Sequence, residues 1–193
     1  MGILKGAMTA RRFRVVGDVG EGWRETFRER LNEFAFREPA VSASKEEVEG
    51  WVQVHNLLDA NFDDFNIWLY GNYALFALRV DKKSLPSKLF AATLQKRCEA
   101  WAEENEVERC PSSVKAELKD ALEREWLKNA LPRVALTEAC WSIDNGYLVL
   151  HSLSEGTAER FRKRFFRTFG LTLVPWSPLD FLDKSEDVEN IMS

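Results

Sequence analysis

Histidine is nearly absent, with only His55 and His151 among 193 residues. Neither has a second ligand or a partner acid at recognisable spacing, so both read as ordinary polar or capping side chains. The chain also lacks a G-x-S-x-G elbow, a phosphate-binding loop and a dinucleotide glycine pattern, which removes the commonest enzyme signatures. Cysteine is sparse: Cys98, Cys110 and Cys140 are odd in number and without C-x-x-C spacing. That excludes a disulfide framework and points to reduced thiols in a cytosolic protein. No apolar run approaches ~18 residues, so no spanning helix is expected. The first twenty residues are basic but have no continuous apolar core, so no secretory signal is expected either.

Aromatics are plentiful instead. Seven Trp and 13 Phe imply an aromatic core or rings offered to a partner. The net charge is −4, and the C-terminal stretch carries all of it. There Asp180, Asp183, Glu186, Asp187 and Glu189 face Lys184 alone. The rest of the chain is balanced, so local patches of charge matter more than the total.

Periodicity predicts the elements. Residues 7–16 read as a half-buried strand, with Phe13 and Val15 on one face and Arg12 and Arg14 on the other. A helix follows over 22–34, with Trp23, Phe27, Leu31 and Phe34 along one stripe. A loop at 38–44 contains Pro39, and a short strand enters at Gly50-Trp51-Val52. One hairpin is predicted over Asn66–Val80, turning at Gly71-Asn72. Two long helices follow, the first opening at Leu85-Pro86 and the second with an N-cap supplied by Pro111-Ser112-Ser113 and ended by Pro132. A second hairpin turns at Asn145-Gly146, and a helix from Glu155 to Phe169 is capped by Ser154 and stopped by Gly170. A last strand covers 171–174. The unit of hairpin then helix thus occurs twice, which suggests a structural duplication.

The chemistry-bearing pattern lies in the helix from Glu155 to Phe169. Arg160, Lys163, Arg164 and Arg167 fall at i, i+3, i+4 and i+7, beside an apolar face of Ala158, Phe161, Phe165 and Phe169. Four cations at ~5–6 Å spacing match a run of backbone phosphates, and the same pattern also fits a solvated amphipathic helix. Arg11, Arg12 and Arg14 form a second basic cluster. If both clusters face one groove, they make a sequence-independent DNA surface. Arg133, just after the helix-ending proline, is a third candidate, or a cation answering the helix dipole. Asp59, Asp63 and Asp64 could hold a divalent cation for a nuclease. They lack the glycine and closing glutamate of a calcium loop, and a solvated loop is the plainer reading.

An ordered set of short motifs resembles the RdgC family of bacterial recombination-associated proteins. It comprises Leu4-Lys5-Gly6, Gly50-Trp51-Val52, Leu85-Pro86-Ser87 and Leu118-Lys119-Asp120. It continues through Leu131-Pro132-Arg133, Trp141, Ile143-Asp144-Asn145-Gly146 and Val174-Pro175-Trp176-Ser177. The resemblance implies a nucleoid-associated protein that binds DNA with little sequence preference. It further implies a ring-shaped dimer, restraint of RecA by competition for DNA, and a place for Arg133 at the family's arginine. Two departures stand out. Ala135 occupies the position of a family aromatic. Family members are also considerably longer, so the chain reads as a short, divergent member without the family's C-terminal part.

The combined expectation is an α+β fold, with a mainly antiparallel sheet from two hairpins and helices on one face. It is one domain over residues 1–182, from which a helical hairpin at 85–131 projects, followed by an acidic, mobile tail at 183–193. The expected function is non-enzymatic, sequence-independent binding of double- and single-stranded DNA. The protein would be a cytoplasmic, nucleoid-associated homodimer with no cofactor, no metal and no membrane partner. Arg160, Lys163, Arg164, Arg167, Arg133, Arg12 and Arg14 would contact DNA. The alternative is a protein-interaction module that has lost DNA binding and keeps an acidic regulatory tail.

Overall fold

A computed structural model of the chain describes residues 2–4, 9–38 and 47–176. In chain order the elements are β1 (Arg11–Val16), α1 (Trp23–Glu33), β2 (Glu47–Val52), α2 (Phe65–Trp68), β3 (Leu69–Tyr70) and β4 (Tyr73–Lys82). They continue with α3 (Ser87–Glu104), α4 (Ser112–Asn129), β5 (Arg133–Ser142), β6 (Tyr147–Leu150), α5 (Glu155–Phe169) and β7 (Thr172–Pro175). One sheet runs in the order β2-β4-β5-β6-β1-β7, with β3 on β4. β1 pairs antiparallel with β6 and β7, β5 with β6, and β3 with β4. The chain is α+β with an antiparallel sheet, as expected. Lys5, Gly6, Pro39, Ser177 and the acidic segment 183–193 lie outside the described residues.

Local chemistry explains where the elements differ from the periodicity. Between Asn56 and Asn66 the short polar side chains bond their own backbone two residues on. Asn56 accepts from Leu58 N at 3.1 Å, Asp59 from Asn61 N at 2.9 Å, Asn61 from Asp63 N at 2.7 Å and Asp64 from Asn66 N at 2.9 Å. Such turns compete with strand pairing. The Asp64 bond caps the helical turn α2, so only Leu69 and Tyr70 remain to form the first arm of the first hairpin. Pro111, not a serine, stands at the start of α4, and no side chain caps that helix.

The described residues form two compact units. The first comprises those of Met1–Phe36, Gly50–Arg79 and Leu136–Ser193, and the second those of Arg37–Glu49 and Val80–Ala135. In the first unit α1 and α5 cover the same face of the sheet, because both reach Trp141 of β5. Phe27 lies 5.1 Å and Phe165 5.3 Å from that ring, centroid to centroid. Trp51 meets Phe76 and Phe161 edge-on at 5.1 and 5.3 Å. The aromatic surplus is therefore largely core. Trp51, Trp68, Trp141, Phe13, Phe62, Phe76, Phe161 and Phe165 are fully buried, each contributing about 2–3 kcal/mol from removal of apolar surface from water.

Gly50 admits a close approach in this unit. The backbone at Ala35 runs parallel beside Trp51, with Phe36 N donating to Trp51 O at 2.9 Å and Trp51 N to Phe34 O at 3.1 Å. A Cβ on Gly50 would sit 2.3 Å from the Phe36 Cα.

The second unit is built on the α3–α4 hairpin. Phe90 and Trp126 pack edge-on at 5.6 Å, Arg97 pairs with Glu125 at 2.8 Å, and Leu94, Ala102, Leu122 and Leu127 are buried. Lys83 Nζ donates to the Leu127 carbonyl at 2.7 Å, placing a cation at the negative end of α4.

Candidate nucleic-acid interface

α5 is specified at both ends. Ser154 Oγ accepts from Thr157 N at 3.4 Å, and Gly170 takes a left-handed φ of 71° after the last turn. Ala158, Phe161, Phe165 and Thr168 are buried, and Thr168 Oγ1 accepts the buried Trp51 indole N–H at 2.8 Å. These contacts fix the rotation of the helix, so the 160/163/164/167 face turns away from the sheet.

The four cations on that face are not equivalent. Arg167 is exposed. The Lys163 side chain is 70% exposed and 3.4 Å from Glu159; an exposed pair of that kind contributes about 0–1 kcal/mol, so a phosphate can displace Glu159. Arg160 is half-buried. Arg164 is half-buried too and donates from Nη2 to the Phe34 carbonyl at 3.0 Å, with its guanidinium 5.2 Å from the Phe34 ring centroid. Arg164 thus ties α5 to the end of α1. Arg162, outside the expected set, donates to the Leu173 carbonyl of β7 at 2.9 Å and to Glu159 at 3.1 Å.

Strand register places the N-terminal arginines elsewhere. Phe13 stands opposite Leu148, which stands opposite Trp141. Directly paired residues share a face, so Phe13 lies on the face covered by α5. Arg12 and Arg14 alternate with Phe13 and emerge from the opposite face, opposite Val149 and Tyr147. The two basic clusters therefore do not line one groove. Arg11 belongs with the helix side, paired with Glu155 and donating to the Leu153 carbonyl at 2.7 Å.

The Arg12/Arg14 face carries aromatic side chains as well. Tyr147 is paired with Arg14, and its ring lies 5.9 Å from that of Trp176, whose backbone N–H donates to the Arg12 carbonyl at 3.0 Å. Tyr147 is not among the candidates taken from the sequence, although alternation along the second hairpin could have placed it on this face. Placing Trp176 needed the β1–β7 pairing.

Arg133 is exposed at the first residue of β5, in the second unit. The remaining sequence candidates have local roles. His55 Nε2 bonds Tyr70 Oη at 2.6 Å, and His151 Nδ1 lies 3.9 Å from Glu138. Asp59 and Asp64 accept backbone N–H groups, and Asp63 accepts from Asn32 Nδ2 at 2.9 Å. Among the described residues no three His, Cys, Asp or Glu side chains are grouped to hold a metal ion. No described helix is long and apolar enough to cross a membrane.

No curated protein matches the chain. A family model described as "Putative exonuclease, RdgC" matches residues 10–192. That match covers nearly the whole sequence, and the chain belongs to the RdgC family.

Proposed function

We propose that the protein binds DNA without sequence preference and without enzymatic activity, acting in recombination or nucleoid organisation as a homodimer. Competition for the same DNA would restrain RecA. The observation that carries this reading is the outward basic face of α5, where Lys163 and Arg167 are exposed in a chain of the RdgC family. Contacts of this kind position a phosphate backbone and read no bases. Arg160 and Arg164 extend the face, Arg164 acting also as an anchor. Arg12 and Arg14 supply a second contact on the other side of the sheet, and Arg133 a third in the second unit.

The test is fluorescence anisotropy with random duplex and single-stranded DNA across a salt series. Wild-type affinity should fall with salt, each phosphate contact on duplex adding about 0.9 to the logarithmic slope. Lys163→Glu/Arg167→Glu should lower duplex affinity at least tenfold while the protein stays folded. Unchanged affinity of that variant in low salt overturns the assignment of α5. The family description favours a second reading, an exonuclease. Divalent-metal-dependent loss of terminal nucleotides from a labelled duplex would support it and displace the non-enzymatic one.

A further inference from the structure

Two of the three cysteines share one site in the second unit. Cys98 lies in α3, one turn before its buried Ala102, and Cys110 lies in the turn that leads into α4. Both thiols are half-buried, and both line an open cleft of about 520 Å³ with Leu94, Glu99, Ala102 and Lys115. The two thiols face this one cleft, where Cys110 Sγ also lies 3.6 Å from the Pro111 carbonyl oxygen. The turn between them is held by Val107 N donating to Ala102 O at 3.0 Å and Glu106 N to Glu103 O at 3.2 Å.

We propose that Cys98 and Cys110 are a reversible dithiol, closing to an intramolecular disulfide by exchange with a low-molecular-weight disulfide such as oxidised glutathione. One cysteine thiolate attacks a sulfur of glutathione disulfide, forming a mixed disulfide and releasing one glutathione thiolate. The second cysteine, as thiolate, attacks the protein sulfur of that mixed disulfide and releases the second glutathione thiolate. Overall the two cysteines lose two protons and two electrons, and one glutathione disulfide becomes two glutathione thiols.

Three features favour the pair. Both thiols line one cleft, on α3 and on the turn that follows it, so closure to the ~2.05 Å S–S bond draws together two neighbouring side chains of a single short segment. The open cleft admits the small disulfide. Lys115 lies beside Cys110 and favours its thiolate, although burial and the neighbouring Cys98 together hold that thiol above its ordinary range. Cys140, in the first unit on β5, is a built-in control, half-buried and not part of the cleft's lining.

The test is equilibration of the full chain in glutathione redox buffers, followed by alkylation, trypsin and mass spectrometry. The expected result is a peptide of residues 98–109 joined to one of residues 110–115, lighter by two hydrogen atoms and separated by reductant. Cys140 should remain alkylated throughout. Cys98→Ser and Cys110→Ser should each lose the joined peptide, whereas Cys140→Ser should keep it. Glutathione adducts without the joined peptide overturn the proposal, as do links to Cys140 or to a second copy. The wild-type and Cys140→Ser chains decide the matter even where another serine variant fails to fold.

Discussion

Arg164 Nη2 donates to the carbonyl of Phe34 at 3.0 Å, joining the middle of α5 to the residue that caps α1. A charged donor on a half-buried carbonyl contributes about 1.5–3 kcal/mol. Arg164→Ala should therefore lower unfolding free energy by about 1–2 kcal/mol in urea titration. Lys163→Ala and Arg167→Ala, both exposed, should stay within about 0.5 kcal/mol of wild type. Equal destabilisation by all three would refute the division of that face into one anchor and two exposed cations.

Thr168 is buried and serves two partners, accepting from Trp51 Nε1 at 2.8 Å and donating to the Arg164 carbonyl at 2.9 Å. Thr168→Val keeps the shape but leaves the indole N–H without its acceptor in a buried site. The expected cost is about 1–3 kcal/mol, measured by chemical denaturation. Thr168→Ser, which keeps the hydroxyl, should recover most of it.

Gly50 and Gly156 should respond to alanine with opposite signs. At Gly50 the new Cβ meets backbone, at 2.3 Å from Phe36 Cα and 2.4 Å from Phe36 N. Nothing there is a flexible side chain that could move aside. Gly50→Ala should cost more than about 3 kcal/mol or prevent folding. At Gly156, in the first turn of α5, a Cβ meets nothing within 4 Å. Gly156→Ala should stabilise by about 0.5–1 kcal/mol through the unfolded chain's lost freedom. Thermal melts of the two variants give the comparison directly.

Burial pushes the Cys140 thiol above its ordinary range. At pH values above that ordinary range the unfolded chain releases this proton before the folded one, so ionisation favours unfolding. Stability is fully present below the ordinary thiol pKa and declines as pH rises towards the raised folded value. Cys140→Ala should remove this part of the alkaline loss, seen as a shallower fall in melting temperature between neutral pH and about pH 10. Parallel curves for wild type and variant would show that the thiol does not contribute.

Local signals were enough for several elements. Ser154 and Gly170 bracket α5 within a residue, and Asn145-Gly146, with Gly146 at φ 62°, sets the second hairpin. The 3.6-residue period separated the phenylalanines of α5 from its cations without any knowledge of partners. Asn66–Trp68, expected as strand, is helical, because a side-chain cap from Asp64 outweighs the apolar pattern that follows. Of the three aspartates that resemble a cation site, Asp59 and Asp64 are used by the same kind of short-range bond, and Asp63 by the long-range one from Asn32.

The sequence by itself determined which residues share a face: Arg12 with Arg14, and Arg160 with Lys163, Arg164 and Arg167. Those relations follow from the fixed periods of strand and helix, and they need no tertiary contact. Only the folded structure decided which faces meet. The pairing of β1 with β6 and β7, far apart in sequence, turned Arg12 and Arg14 away from α5 and beside Tyr147 and Trp176. Packing of α5 on α1 set Arg164 against Phe34, and the turn from α3 into α4 brought Cys98 and Cys110 to one cleft. Long-range packing is selected by burial of the whole aromatic core, and no local period encodes it.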